Sequence, residues 1–377
     1  MKISGYIRTV LILICFIAGF LVVCLFPDLC DLYTDHIYVK ICNRVSKITG
    51  NIRINLGECI MYLLSLSLVL LLIFLILLIF LRKKKGYKKF TIGYVKTISI
   101  LLLLMIVVYM FTWAVPFSGK VLGGKVYSKR VTYTNDEVET VLKYLVKNIN
   151  QAADEIDIKY VMKGNKYTVE FKSDEEMNVL VIEALRSMEE DYPRLSGYYP
   201  VIKIAYCSDV LDIMNIGGYN YPYTMEPTCN KYVDPLYQPL LNCHEYVHHK
   251  GYYKENEANF ISEIALSKSK DPYLRLIAYL DMYYYVSSAY YEKNHKMPDD
   301  LPKFTERVKI IQKASYEIRD KKYNEDSHFF SSNENISNII KKTGDKGWEI
   351  QGDILKENSY DGVTLLLFQF FDTCQLF

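Results

Sequence analysis

The sequence predicts a membrane-anchored α+β protein, with three transmembrane helices followed by a mostly helical domain that holds a small sheet. Two observations favour this fold class. Three long apolar stretches lie before Pro116, and the chain after it alternates capped helical segments with short strand-like ones. We therefore divide the 377 residues into a three-span anchor, residues 1–116, and a globular domain, residues 117–377.

The apolar stretches are residues 10–26, 60–81 and 97–115. Crossing the hydrocarbon core of a bilayer takes about 20 helical residues, so each stretch is long enough or nearly so. Lys2 and Arg8 before the first stretch are also typical of a cleaved signal peptide, but no small-residue cleavage site follows it, which favours a retained anchor. None of the stretches contains Asp, Glu, Lys, Arg or His, which disfavours a transporter.

Orientation follows from residues 82–96, which are dense in Lys and Arg and contain no acid. The positive-inside rule places this predicted loop in the cytoplasm. The loop at residues 27–59 mixes both signs and contributes little. We therefore expect a multi-pass protein of the cell membrane whose C-terminal domain is extracytoplasmic. The whole chain carries 45 Lys+Arg against 43 Asp+Glu, so nothing indicates a nucleic-acid partner.

In the domain, Asn135 is the predicted cap of a first helix, and a second helix follows within residues 174–193. Alternating patterns predict strands within residues 166–173 and 201–206. Residues 217–233 are broken by Gly and Pro and predict either an irregular or edge strand or a plain loop. Further helices are predicted at residues 239–249, 255–267, 272–291, 301–319 and 361–371, with a polar loop at 321–338.

The stretch "HEYVH" holds His244, Glu245 and His248 in the HExxH pattern, in a chain with only 6 histidines. Residues four apart share a helix face, so both imidazoles can bind one ion. Zn²⁺ takes imidazole ligands well and lowers the pKa of bound water, whose proton Glu245 can remove. The alternative is an ordinary solvated helix. The apolar lead-in at residues 235–243 argues against it, and Gly251 would end the helix so that the chain can turn back.

A third ligand is expected shortly downstream, where "KENEANF" offers Glu255 and, as the alternative, Glu257. We favour Glu255, because Asn259 one turn later can hold a ligand in place. Glu257 would then be a surface or capping acid. His249 lies on the wrong face for the ion and is expected to face solvent, and Cys243 is expected to serve packing.

The run "HEYVHHKGYYKENEANF" resembles the signature of an uncharacterised bacterial membrane family, DUF3810. The segments "PYTMEP" and "SYDGVTLLL" resemble further motifs of that family. The E-x-x-A-N element is also similar to elements of HtpX-like and ImmA/IrrE peptidases, which are gluzincins. By this resemblance the domain is zincin-like, His244, His248 and Glu255 are the metal ligands, and Glu245 is the catalytic base.

These patterns together lead us to expect a zinc-dependent metalloendopeptidase, anchored in the lipid bilayer, that hydrolyses peptide or protein substrates of the cell envelope. An extended substrate would pair with the strand predicted within residues 217–233. The alternative is a non-enzymatic receptor or envelope-binding module whose zinc only stabilises the fold. That module would have a closed metal site and no need of Glu245.

Overall fold

A computed structural model describes residues 4–161, 166–355 and 359–377. Helices dominate these residues, and two small sheets accompany them. The α-helices are α1 Gly5–Val23, α2 Pro27–Tyr33, α3 Val39–Thr49, α4 Leu56–Leu81, α5 Lys85–Tyr109, α6 Val115–Phe117, α7 Asn135–Asp154, α8 Asp174–Arg186, α9 Ser208–Ile213, α10 Gln238–His249, α11 Glu255–Ser267, α12 Pro272–Asn294, α13 Glu306–Glu325, α14 Glu334–Leu355 and α15 Ser359–Thr373. The strands are β1 Ile158–Val161, β2 Lys166–Val169, β3 Lys203–Ile204, β4 Gly218–Tyr221 and β5 Glu226–Cys229.

Three of these helical stretches are long and apolar enough to cross a membrane, which supports a membrane-associated protein. They are α1, α4, and the continuous stretch Lys85–Phe117, in which a π-helical turn at Met110–Ala114 joins α5 to α6. The basic segment 82–96, predicted as a loop, is helical from Lys85 onward. The backbone hydrogen bonds of a helix do not depend on apolar side chains, so the helix can include the basic segment as well as the apolar one.

The segment between the first two spans is helical and belongs to the packing of the domain, contrary to the loop expected there. It comprises α2, a π-helical turn at Thr34–Tyr38, and α3. Buried Arg194 pairs with Asp31 at 2.8 Å and with Asp35 at 2.6 Å. Isolated charges are rarely left buried without partners, so this segment and the domain form one packed unit.

The domain core is built around α7, α8, α11 and α12. The predicted cap at Asn135 is off by one residue, because Thr134 and Glu137 form a capping box at the start of α7. Side chains spaced along one face of α7, such as Leu142, Leu145 and Ile149, are fully buried in the main hydrophobic cluster. The amphipathic pattern therefore located this helix correctly.

The larger sheet has the order β3-β5-β4, with β3 parallel and β4 antiparallel to β5. Residues 217–233 thus form a hairpin, in which β4 is the edge strand and β5 is central. Pro227 fits in a central strand because β3 pairs only with Thr228 and Cys229, so Pro227 lies beyond the end of β3. β1 and β2 form a separate antiparallel pair.

The later helices agree with expectation to within a few residues, except in two places. α13 begins at Glu306 rather than at residue 301, and α14 was not predicted because its sequence is polar and interrupted by glycine. Gly344 lies against Met214, which directly follows the neighbouring α9, and a Cβ built there would be 3.1 Å from that side chain. α14 therefore packs beside the cleft described next.

Candidate metal centre

His244 and His248 lie on one face of α10, and the rest of that helix is buried. Pro239 occupies its first turn, and Leu240, Tyr246 and other side chains fill the core beneath. The two imidazole rings are 4.4 Å apart between centroids and nearly perpendicular. The helix thus presents two nitrogen donors to a common point.

A tight turn after α10 brings a carboxylate to the same point. Gly251 adopts φ +92°, a conformation that favours glycine, and the chain re-enters a helix at Glu255. Glu255 Oε2 lies 3.3 Å from His244 Nε2, and its Oε1 lies 3.5 Å from His248 Nε2. One ligand atom from each of the three residues lies within 4.8 Å of the others.

The alternative third ligand, Glu257, points elsewhere. It is 3% exposed, so the expectation of a surface acid is wrong, whereas its capping role is seen. Its carboxylate accepts hydrogen bonds from the backbone N–H of Leu122 at 2.6 Å and of Lys254 at 3.4 Å. Burial raises the pKa of Glu257 to about 7.

The partners of His248 fix its orientation. Its Nδ1 lies 2.9 Å from the carbonyl oxygen of Tyr252 and donates to it, which leaves Nε2 free to bind a metal. Burial lowers the pKa of His248, but the charge and hydrogen bond of Glu255 outweigh this and raise it to about 9. Burial likewise opposes the ionisation of Glu255, whose pKa the two histidines nevertheless hold well below its usual value.

Glu245 lies beside this cluster and faces strand β4. Its side chain is 2% exposed, and a Cβ built on Gly218 would lie 2.7 Å from Glu245 Oε1, so only glycine fits there. Its Oε2 has no hydrogen-bond partner among the described residues. Burial raises the pKa of Glu245 to about 7, with Glu255 adding to this and the two histidines opposing it.

Asn259 lies one turn after Glu255, where its Nδ2 donates to Tyr285 Oη at 2.9 Å. Asn259 and Tyr285 line a cleft of about 770 Å³ together with His244, Glu255, Gly217 and Asp345. The supporting role expected of Asn259 toward a ligand therefore stays a prediction.

The solvent-facing position expected for His249 is wrong. The side chain is fully buried, its Nε2 lies 3.4 Å from Cys42 Sγ, and its carbonyl oxygen accepts from Tyr38 Oη at 3.1 Å. Cys42 and Tyr38 belong to the segment between the first two spans, which covers the face of α10 that the domain leaves open. Cys243 is fully buried in the main cluster, in keeping with a packing role.

Sequence patterns did not point to two acids behind the cluster, Glu263 and Asp281. Burial and the neighbouring Asp281 raise the pKa of Glu263 well above its ordinary value, and burial raises that of Asp281 to about 6. Two neighbouring carboxyl groups disfavour each other's ionisation, and burial adds to that effect. Asp281 also interacts electrostatically with His244.

The chain matches the family model described as a protein of unknown function, DUF3810, over residues 33–368. It therefore belongs to that family. The match begins at Tyr33 and so includes most of the segment that covers His249. No curated protein and no solved structure matches the chain. The likeness to HtpX-like and ImmA/IrrE peptidases accordingly stays a prediction from the motif.

Proposed function

We propose that this member of the DUF3810 family is a membrane-anchored zinc-dependent metallopeptidase with a zincin-like domain and a gluzincin-type site. The observation that carries the proposal is the convergence of His244, His248 and Glu255 beside the acid Glu245. We further propose that the domain is extracytoplasmic, by the positive-inside rule, and that its substrates are peptides or proteins of the cell envelope.

The donor set fits Zn²⁺. Two imidazole nitrogens and one carboxylate oxygen within 4.8 Å of one another are a ligand set that catalytic zinc uses, with a further position left for water or substrate. A bound zinc would act as a Lewis acid and lower the pKa of water in that position. The hydrogen bond from His248 Nδ1 to Tyr252 supports the same assignment.

Glu245 would act as the general base and then as the general acid. Its carboxylate accepts a proton from the water that attacks the substrate carbonyl, and it returns that proton to the amine as the C–N bond breaks. In the metal-free protein burial raises the pKa of Glu245 to about 7, and a bound cation would lower it from that value. Among the described residues no other strand pairs with the outer edge of β4, which begins beside Glu245. This edge would hold the substrate backbone by strand pairing.

The alternative is the non-enzymatic, zinc-stabilised receptor or binding module. One observation favours it: Glu245 is 2% exposed and packed against Gly218, whereas a general base must reach its water. This alternative requires no turnover and predicts that replacing Glu245 has no functional effect.

Substituting Glu245→Gln distinguishes the two. The amide keeps the shape of the side chain but cannot accept a proton, so we expect zinc content to be unchanged and hydrolysis to fall by about 10²–10⁴-fold. The assay uses the zinc-loaded full chain in lipid nanodiscs with a mixed peptide library and mass-spectrometric detection. Full activity in the variant would refute the proposed mechanism.

A further inference from the structure

We infer that the substrates are segments of membrane-anchored proteins or peptides, cleaved within a few residues of the bilayer surface. This inference rests on the proposed peptidase function and adds the class of substrate. The inference follows from the position of the proposed metal ligands relative to the ends of the membrane spans. It holds whichever side of the membrane the domain occupies.

The aromatic end of the third span marks the bilayer surface next to the domain. About 17 residues separate Lys96, the last basic residue of that helix, from Trp113. At 1.5 Å per residue this is about 26 Å, close to the thickness of the hydrocarbon core. Trp113 is stacked between Tyr109 and Phe117, with ring centroids at 5.0 and 4.8 Å. Such an aromatic cluster is typical of the membrane interface.

One tyrosine ring separates the side-chain cluster His244, His248 and Glu255 from this interface. Tyr253 is stacked on His248, with ring centroids 6.0 Å apart, and it also makes an edge-on contact with Trp113, with centroids 6.1 Å apart. Tyr253 is 4% exposed and belongs to a small cluster with Tyr38 and Met225. These contacts hold a metal ligand close to the bilayer surface.

Strand β4 connects the cluster to the membrane. Residues just before it, including Gly217, line the cleft with His244 and Glu255, and its first residue, Gly218, meets Glu245. Its last residue, Tyr221, lies against Gly57 in the first turn of α4, where a Cβ would be 2.5 Å from the tyrosine ring. The three residue steps from Gly218 to Tyr221 cover about 10 Å.

The membrane end of β4 is fixed in place. Glu226, which pairs with Tyr221 across the hairpin, accepts a hydrogen bond from the backbone N–H of Gly57 at 2.8 Å. Glu58 accepts hydrogen bonds from the backbone N–H of Tyr206 at 2.7 Å and of Cys207 at 3.0 Å. The apolar stretch of α4 begins two residues later, at Ile60.

Among the described residues no further strand pairs with β4, so its outer edge can take an extended peptide. A peptide paired there would have one end at the cleft and the other at the bilayer surface. A segment that leaves the membrane reaches the site without crossing open solvent. Anchoring also raises its local concentration.

The test uses the zinc-loaded full chain in lipid nanodiscs with one mixed ten-residue peptide library in three forms. The peptides are free, attached to a lipid through two residues, or attached through twenty, with attachment at either end. Glu245→Gln protein gives the background. We expect the two-residue tether to be cleaved at least as fast as the twenty-residue one, and both about tenfold or more faster than the free library.

Two results would overturn the inference while leaving the peptidase proposal intact. Free and anchored libraries could be cleaved equally fast, or only the twenty-residue tether could be cleaved, since its root-mean-square reach is about 25 Å. If no library is cleaved in a Glu245-dependent way by protein with bound zinc, the proposed function fails together with the inference.

Discussion

Glu255 and Glu257 are separated by one residue on α11, yet their surroundings shift the pKa values of their carboxyl groups in opposite directions. The histidines lower the pKa of Glu255, whereas burial raises that of Glu257 to about 7. The sequence pattern favoured Glu255 but left Glu257 open, because either acid fits the spacing. The two acids differ in the direction of their side chains, since only that of Glu255 points to the histidines. The orientation of α11, and with it these directions, depends on the left-handed turn at Gly251.

The raised pKa of His248 makes zinc binding dependent on pH. Without metal, His248 is protonated up to a pH of about 9, so binding must release that proton. We expect the apparent zinc affinity to fall by about tenfold for each pH unit below 9. Competition with a chelator at pH 6, 7 and 8 measures this. An affinity that is constant over that range would contradict the assignment of His248 as a ligand.

The raised pKa of His248 also makes the stability of the metal-free protein depend on pH. The folded pKa of His248 lies above its ordinary value of 6.5 and that of Glu255 below its ordinary value of 4.5, so the His248–Glu255 ion pair stabilises the apo-protein fully only between these two pH values. That contribution is lost as the pH rises through about 9. Metal removal should therefore destabilise the domain more at pH 9 than at pH 6.

At the scale of elements, local signals located most helices, and long-range contacts explain the exceptions. α10, α11 and α12 carry apolar periodicity, terminal Pro or Gly, or a capping Asp271, and their limits were predicted within a few residues. α2 and α3 were missed because they are short and mixed in charge. Their packing depends on distant partners, such as Asp31 of α2 with Arg194 and Cys42 of α3 with the carbonyl oxygen of His249.

A buried ion pair between β3 and β5 also contacts the residues just before α4. Lys203 Nζ lies 2.6 Å from Glu226 Oε1, both side chains are almost fully buried, and Lys203 also donates to the carbonyl oxygens of Ile52 and Ile54. Removing one partner of a buried pair leaves the other charge uncompensated, which costs about 3–5 kcal/mol. The pair therefore ties the membrane end of β4 and β5 to the anchor.

We expect Lys203→Met to lower the free energy of unfolding by about 3–5 kcal/mol. The matched control is Lys231→Met, which removes a half-exposed pair with Asp326 and should cost less than about 1 kcal/mol. Denaturant unfolding of the full chain in detergent measures both. Equal losses in the two variants would mean that the buried pair has no special role.

At the scale of the whole molecule, the membrane anchor and the domain are not independent. The three spans and the HExxH helix could be predicted because each is encoded in a short stretch. Burial of His249 and Lys250 could not be predicted, since the segment between the first two spans contributes to it. Lys250 Nζ, for example, donates to Asn43 Oδ1 at 3.3 Å, and burial lowers the pKa of Lys250 to about 8.

A fragment comprising residues 117–377 should therefore fail to fold cooperatively. It would leave Arg194 without its partners Asp31 and Asp35 and would uncover His249. A fragment that begins at residue 27 lacks only the first span and should retain cooperative unfolding in detergent. Thermal unfolding of both fragments beside the full chain tests this. A cooperative transition in 117–377 that matches the full chain would show that the domain is self-sufficient.

The most direct test of the central claim is the zinc content of the purified full chain beside Glu255→Gln and Glu257→Gln, after zinc loading and dialysis against a weak chelator. The two variants make the same chemical change two residues apart. We predict about one zinc per chain in the wild type and in Glu257→Gln, and little in Glu255→Gln. A metal-free wild type, or zinc lost from Glu257→Gln and kept by Glu255→Gln, would contradict this site.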